Sequence, residues 1–108
     1  MPPIAEFELR VLLTVHRLGD EAYAVSVHED LERRSRRRTS QGAVYITLDR
    51  LERKGLLASR FGDPTPERGG RAKRFYRLSR AGLAAVREEV RLMQRLWDGL
   101  DIVANERS

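Results

Sequence analysis

A mainly α fold carrying one small β-hairpin is predicted by three observations in the 108-residue sequence. Apolar residues recur at helical spacing in several separate stretches. Two short runs of strand-forming residues flank a segment rich in glycine and proline. Basic charge is concentrated in the middle of the chain. The length suits one domain with a modest core, small enough to gain from association with a second copy. With no cysteine, the chain has no disulfide framework and no thiolate zinc site. No apolar run approaches the about 18–20 residues that cross a membrane. The opening stretch MPPIAEFELR lacks the basic and apolar regions of a signal peptide, so a cytoplasmic protein is expected.

Charge is partitioned more sharply than the net of +5 suggests. Residues 1–32 hold two basic and seven acidic side chains, residues 33–77 hold fourteen and four, and residues 78–108 hold five of each. A central basic block is the footprint of a surface that meets a polyanion, and nucleic acid is the expected partner.

Taken in order, residues 5–18 place Phe7, Val11, Leu12, Val15 and Leu18 on one helical face, and Gly19-Asp20 ends that pattern. A second helix is predicted from about Ala22 to Ser35, with Tyr23, Val27 and Leu31 inward and His28 and Glu29 outward. His16 and His28 alone do not make a metal site. The linker that follows holds Arg36, Arg37 and Arg38, which together with Arg33 and Arg34 form either a solvated face or a rest for phosphates.

The third helix runs from Thr39 to Gly55, TSQGAVYITLDRLERKG. Ser40 or Thr39 is a suitable N-cap, and Gly55 can take the left-handed conformation that closes a helix. Val44, Leu48 and Leu51 form a narrow inner stripe with Thr47 at its edge, while Gly42, Ile46, Asp49, Arg50 and Arg53 face away. An ordinary amphipathic surface helix would share that pattern. A helix entering a DNA major groove has particular use for it: Gly42 permits close approach, Gln41 and Thr47 can bond to base edges or phosphates, and Ile46 can touch a thymine methyl.

Two strands are predicted next, Leu56 to Phe61 and Arg74 to Leu78, joined by a loop with Pro64, Pro66, Gly69, Gly70 and the cations Arg68, Arg71 and Lys73. Helix, linker, helix and basic hairpin together outline a winged helix-turn-helix. The last helix is predicted from the Ser79 cap to about Ala104. Leu83, Val86, Val90, Met93, Trp97 and Leu100 recur at alternating steps of three and four, with Leu96 and Val103 widening the stripe. That apolar face is most simply buried against a second subunit, so the expected organisation is a DNA-binding domain at 1–78 and a dimerisation helix at 79–108. Gly82 and Gly99 weaken the helix slightly.

The stretches FELRVLLTVHRLGDEAYAVSV, SQGAVYITLDRLERKGLL and PTPERGGRAKRFYRLSRAGLAAV, followed by the long final helix, resemble the PadR family of bacterial transcriptional regulators over nearly the whole chain. The resemblance implies a homodimer held through the C-terminal helix and repression of a nearby promoter. By position it implies DNA contacts at Ser40, Gln41, Gly42, Tyr45 and Thr47 and wing contacts at Gly70, Arg71 and Lys73. Arg38, Ile46, Arg50 and Arg68 complete the expected DNA surface. The chain resembles the family's short form, with one C-terminal helix. Some drug-sensing members stack flat aromatic ligands on a tryptophan of this helix; Trp97 is the tryptophan available here. Packing in the subunit interface is the simpler role for it, and a small aromatic effector is the other.

The leading expectation is therefore a sequence-specific DNA-binding regulator, a dimeric repressor that occludes a promoter. The alternative is a winged-helix adaptor that docks proteins without reading DNA sequence. No nucleophile–base set, carboxylate pair or metal-ligand spacing points to an enzyme, and no cofactor is expected.

Overall fold

The computed structural model describes residues 4–63 and 72–102. The elements are α1 (Glu6–Leu18), α2 (Ala24–Ser35), α3 (Gln41–Arg53), β1 (Leu57–Phe61), β2 (Arg74–Leu78) and α4 (Arg80–Trp97), with one 3-10 turn at Gly19–Glu21. The strands pair antiparallel, Leu57 opposite Leu78 and Phe61 opposite Arg74. This is the mainly helical winged arrangement that the residue pattern predicts.

One core joins the four helices and the hairpin. Val11, Leu12 and Val15 of α1 meet Val27 and Leu31 of α2, Val44, Leu48 and Leu51 of α3, and Leu57 and Tyr76 of the hairpin. α2 begins two residues later than predicted because Ala22 and Tyr23 are used elsewhere. Tyr23 is extended and bridges Phe75, and the Ala22 carbonyl accepts from the Tyr76 N–H at 2.8 Å. A third short segment thus flanks β2, which supports a two-stranded hairpin that would be marginal alone.

The first turns of α4 belong to this same core, with Ala85 and Val86 both buried. Their close approach depends on Gly82: a Cβ there would lie 2.0 Å from the Leu56 carbonyl oxygen. Ser79 fixes the junction, accepting from the Gly82 N–H at 3.0 Å and donating to the Gly55 carbonyl at 2.6 Å.

The far end of α4 departs from the prediction. The helix stops at Trp97, Asp98 is extended, and Gly99 has φ +79°. Glycine loses the most backbone entropy in a helix and enters left-handed conformations freely, so the Asp98-Gly99 pair ends the helix before the apolar repeat has run out. Leu100 lies in the following turn, its N–H bonded to the Trp97 carbonyl at 2.9 Å. Val103 lies outside the described residues. No helix among the described residues is long and apolar enough to cross a membrane.

Candidate nucleic-acid interface

Helix α3 is held at both ends by bonds its own sequence supplies. The Ser40 Oγ accepts from the Ala43 N–H at 3.1 Å, satisfying a donor that the first turn leaves free. At the other end Gly55 takes φ +79°, its N–H bonds the Glu52 carbonyl, and the Leu56 N–H bonds the Leu51 carbonyl, both at 2.9 Å. That pair of bonds is a Schellman closure.

Two tertiary ties fix where this helix sits. The turn before it contains Arg36 in the left-handed conformation, φ 57°. Glu32 accepts from the Thr39 N–H at 2.7 Å, and the His28 Nε2 lies 2.6 Å from the Thr39 carbonyl oxygen. His28, expected to point outward, is half-buried and pins the turn. At the C-terminal end the Lys54 ammonium donates to the buried Glu8 carboxylate at 2.7 Å, and the Ala5 N–H donates to its other oxygen at 3.0 Å. Burial raises the pKa of Glu8, but the Lys54 hydrogen bond, the Ala5 N–H and the charges of Lys54 and Arg50 outweigh it and leave the carboxyl below its ordinary value.

The outer surface of α3 presents Gln41, Gly42, Tyr45, Ile46 and Arg50 to solvent, with Tyr45 59% and Ile46 57% exposed. Among the described residues nothing covers this apolar surface, although the helix already has a complete inner stripe. Thr47 corrects the sequence reading. It is 4% exposed, because its position between Val44, Leu48 and Leu51 turns it into the core rather than to the edge. Its side chain is not available to a base.

The basic block divides into tied and untied cations. Asp30, buried on α2, lies 2.6 Å from Arg33 and 3.5 Å from Arg34, and Asp49 lies 3.0 Å from Arg53. Among the described residues Arg36, Arg37, Arg38 and Arg50 form no ion pair, and all four are exposed.

The hairpin lies alongside α3, and its Phe61 and Lys73 share a cleft with Gln41 and Tyr45. The Lys73 ammonium lies 4.3 Å from the Tyr23 ring centroid, and the Phe75 ring meets Tyr23 edge-on at 5.6 Å. A cleft of about 360 Å³ opens between the two, lined by Tyr23, Gln41, Tyr45, Phe61, Lys73, Arg74 and Tyr76. The structure therefore brings Gln41, Tyr45 and Lys73 around one opening. Ser40 and Arg38 border a different groove, of about 280 Å³, with Phe7 and Arg10. Arg68, Gly70 and Arg71 lie outside the described residues.

The predicted subunit face is divided. Val86 is buried in the chain's own core, because its turn of α4 packs on the domain and not outward. Leu83 and Val90 are half-buried along a shallow groove with His16 and Gln94. Met93, Leu96 and Trp97 on the last turns and Leu100 just beyond are exposed, Leu96 at 63%. No group of metal-binding side chains occurs among the described residues.

Known proteins share this sequence and architecture. The pattern of the Transcriptional regulator PadR-like family matches residues 11–88. Transcriptional regulator Rv3488 of Mycobacterium tuberculosis is 37% identical over 90 residues, covering 82% of this chain and 78% of that protein. A PadR family transcriptional regulator from Eggerthella lenta superposes with TM-score 0.66 at 28% identity, covering 93% of this chain and 88% of that one. A PadR-like transcription factor from Bacteroides fragilis reaches 0.73 at 22% identity over 91% and 89%. Together with the capped helix, its exposed outer face and the adjoining basic hairpin, these matches establish that the chain belongs to the PadR-like family of transcriptional regulators.

Proposed function

We propose that this regulator is a homodimeric, sequence-specific DNA-binding protein that represses by occluding a promoter. The observation that carries the reading is the outer face of α3. The helix is capped by Ser40 and leaves Gln41, Gly42, Tyr45, Ile46 and Arg50 exposed, with Lys73 across the cleft from its first turn. In the major groove Gln41 would bond a base edge, Ile46 would pack on a thymine methyl, and Tyr45 would lie against the sugar–phosphate backbone. The untied arginines Arg36, Arg37, Arg38 and Arg50 would neutralise phosphates, as would Lys73 and the loop cations Arg68 and Arg71 beside Gly70. The role proposed is binding rather than catalysis, in the cytoplasm and without a cofactor.

Residues 79–108 would supply the second subunit's contact, chiefly through Met93, Leu96, Trp97 and Leu100, with Leu83, Val90 and Val103 beside them. A planar aromatic effector that stacks on Trp97 would act through that interface and release the DNA. The deciding experiment is fluorescence anisotropy of the protein with a labelled duplex from its own upstream region and with a scrambled duplex, across a salt series. A steep salt slope with clear preference for the upstream duplex is the expected result; equal, weak binding of both would overturn the reading. Gln41→Ala is expected to cost about 1–3 kcal/mol on the preferred duplex and little on the scrambled one. Equal losses on both would remove Gln41 from base reading.

A further inference from the structure

Arg74 opens β2, Glu52 lies in the last turn of α3, and Ser59 is the middle residue of β1. The three close a ring. Arg74 Nη2 donates to Glu52 Oε1, Arg74 Nε donates to Ser59 Oγ at 3.0 Å, and the Ser59 hydroxyl donates to Glu52 Oε2 at 2.6 Å. The strand register explains how they meet. Ser59 is opposite Tyr76 and Phe61 is opposite Arg74, so Arg74 and Ser59 are diagonal neighbours on one face of the hairpin. The same guanidinium lies 5.5 Å from the Tyr76 ring centroid and 5.9 Å from that of Phe61. Arg74 is thus a cation of the basic block whose charge is paired within the protein.

We propose that Glu52, Ser59 and Arg74 form a positioning clamp that sets the angle between α3 and the hairpin, and so decides whether both reach one duplex together. This rests on the DNA-binding reading above. A separate backbone bond, from the Tyr76 N–H to the Ala22 carbonyl, ties the hairpin to the segment before α2. Among the described residues, the side-chain hydrogen bonds from α3 to the strands all belong to this ring. A planar guanidinium bonded through two of its nitrogens, to a carboxylate and a hydroxyl, fixes direction as well as distance. The three residues are only half-buried, so the clamp is a geometric device more than a source of stability.

Charge and geometry predict opposite signs, which makes the clamp testable. Glu52→Gln removes a negative charge from a surface that approaches phosphates, and Coulomb attraction alone would tighten DNA binding. If the clamp positions the hairpin, the same change weakens binding to the upstream duplex, by about three- to tenfold. Ser59→Ala, which leaves every charge in place, is expected to weaken it in the same direction, and the double variant no further than the stronger single one. Anisotropy is read at a temperature where circular dichroism shows each variant folded. Equal or tighter binding by Glu52→Gln would overturn the proposal, as would unchanged binding by Ser59→Ala or fully additive losses. Should Glu52→Gln fail to fold, the result for Ser59→Ala decides alone. Amide hydrogen exchange in the DNA-free protein separates the two readings. Faster exchange at β1 and β2 in Ser59→Ala is expected, and unchanged exchange sinks the clamp, whereas a wild type indifferent to every duplex sinks the DNA reading instead.

Discussion

Glu8 is 3% exposed yet ionised, which is stable only because Lys54 and the Ala5 N–H satisfy it. Its folded-state pKa lies below the ordinary 4.5, so the folded form binds the proton more weakly than the unfolded chain does. Its contribution to stability is therefore fully present above that ordinary value and is lost as pH falls through the lowered one. Resistance of the wild type to urea should weaken as pH falls from about 6 to about 3, and Glu8→Gln should show a shallower pH slope. At neutral pH the substitution should cost about 1–3 kcal/mol, since Lys54 then faces an amide. Identical slopes for the two proteins would remove the pair from the acid response. Neither this pair nor the His28–Thr39 contact was legible in the sequence. Their partners are 46 and 11 residues apart, and a carboxylate or imidazole at a helical position reads as solvated until the packing is known.

At the scale of elements, what could be read is what is local. The Ser40 and Ser79 caps, the Gly55 closure and the β2 limits all depend on residues within one turn or one strand, and all appear where the pattern put them. Thr47 was misplaced because a stripe edge is decided by which neighbours pack there, not by angle alone. Gly82 looked like a weak point of α4 and is instead the condition for its docking, since the Leu56 backbone occupies the space a side chain needs. Gly82→Ala, favourable by helix propensity, should therefore destabilise the protein by about 1–3 kcal/mol through overpacking against backbone. A raised melting temperature would show that α4 can shift without cost. Arg36 predicts the reverse: it holds φ 57° without a glycine's freedom. Arg36→Gly should stabilise the turn by up to about 1 kcal/mol in thermal unfolding. The same variant should bind DNA less tightly at low salt if Arg36 meets a phosphate.

At the scale of the whole molecule, the apolar repeat of α4 is divided between the domain core and the exposed end of the helix. Val86 and Val90 turn toward the domain, while Met93, Leu96, Trp97 and Leu100 present an apolar end that no other described residue covers. One repeat in the sequence therefore serves two surfaces, a division that periodicity cannot register because it sees the stripe and not what lies against it. In a two-fold dimer each exposed side chain is buried twice, and a leucine contributes about 1.5–3 kcal/mol for each burial. Leu96→Glu would lose both burials and place two carboxylates near the axis. Sedimentation should then show a two-chain species for the wild type at micromolar concentration and a single chain for Leu96→Glu, with the domain still folded by circular dichroism. DNA binding should weaken with it, and the slope of log affinity against log salt should fall toward half, because one winged domain neutralises half the phosphates. A wild type that sediments as a single chain would assign this apolar end to a different partner. An unchanged slope in the variant would mean that one domain makes all the phosphate contacts, and the two-fold arrangement would then have no part in holding DNA.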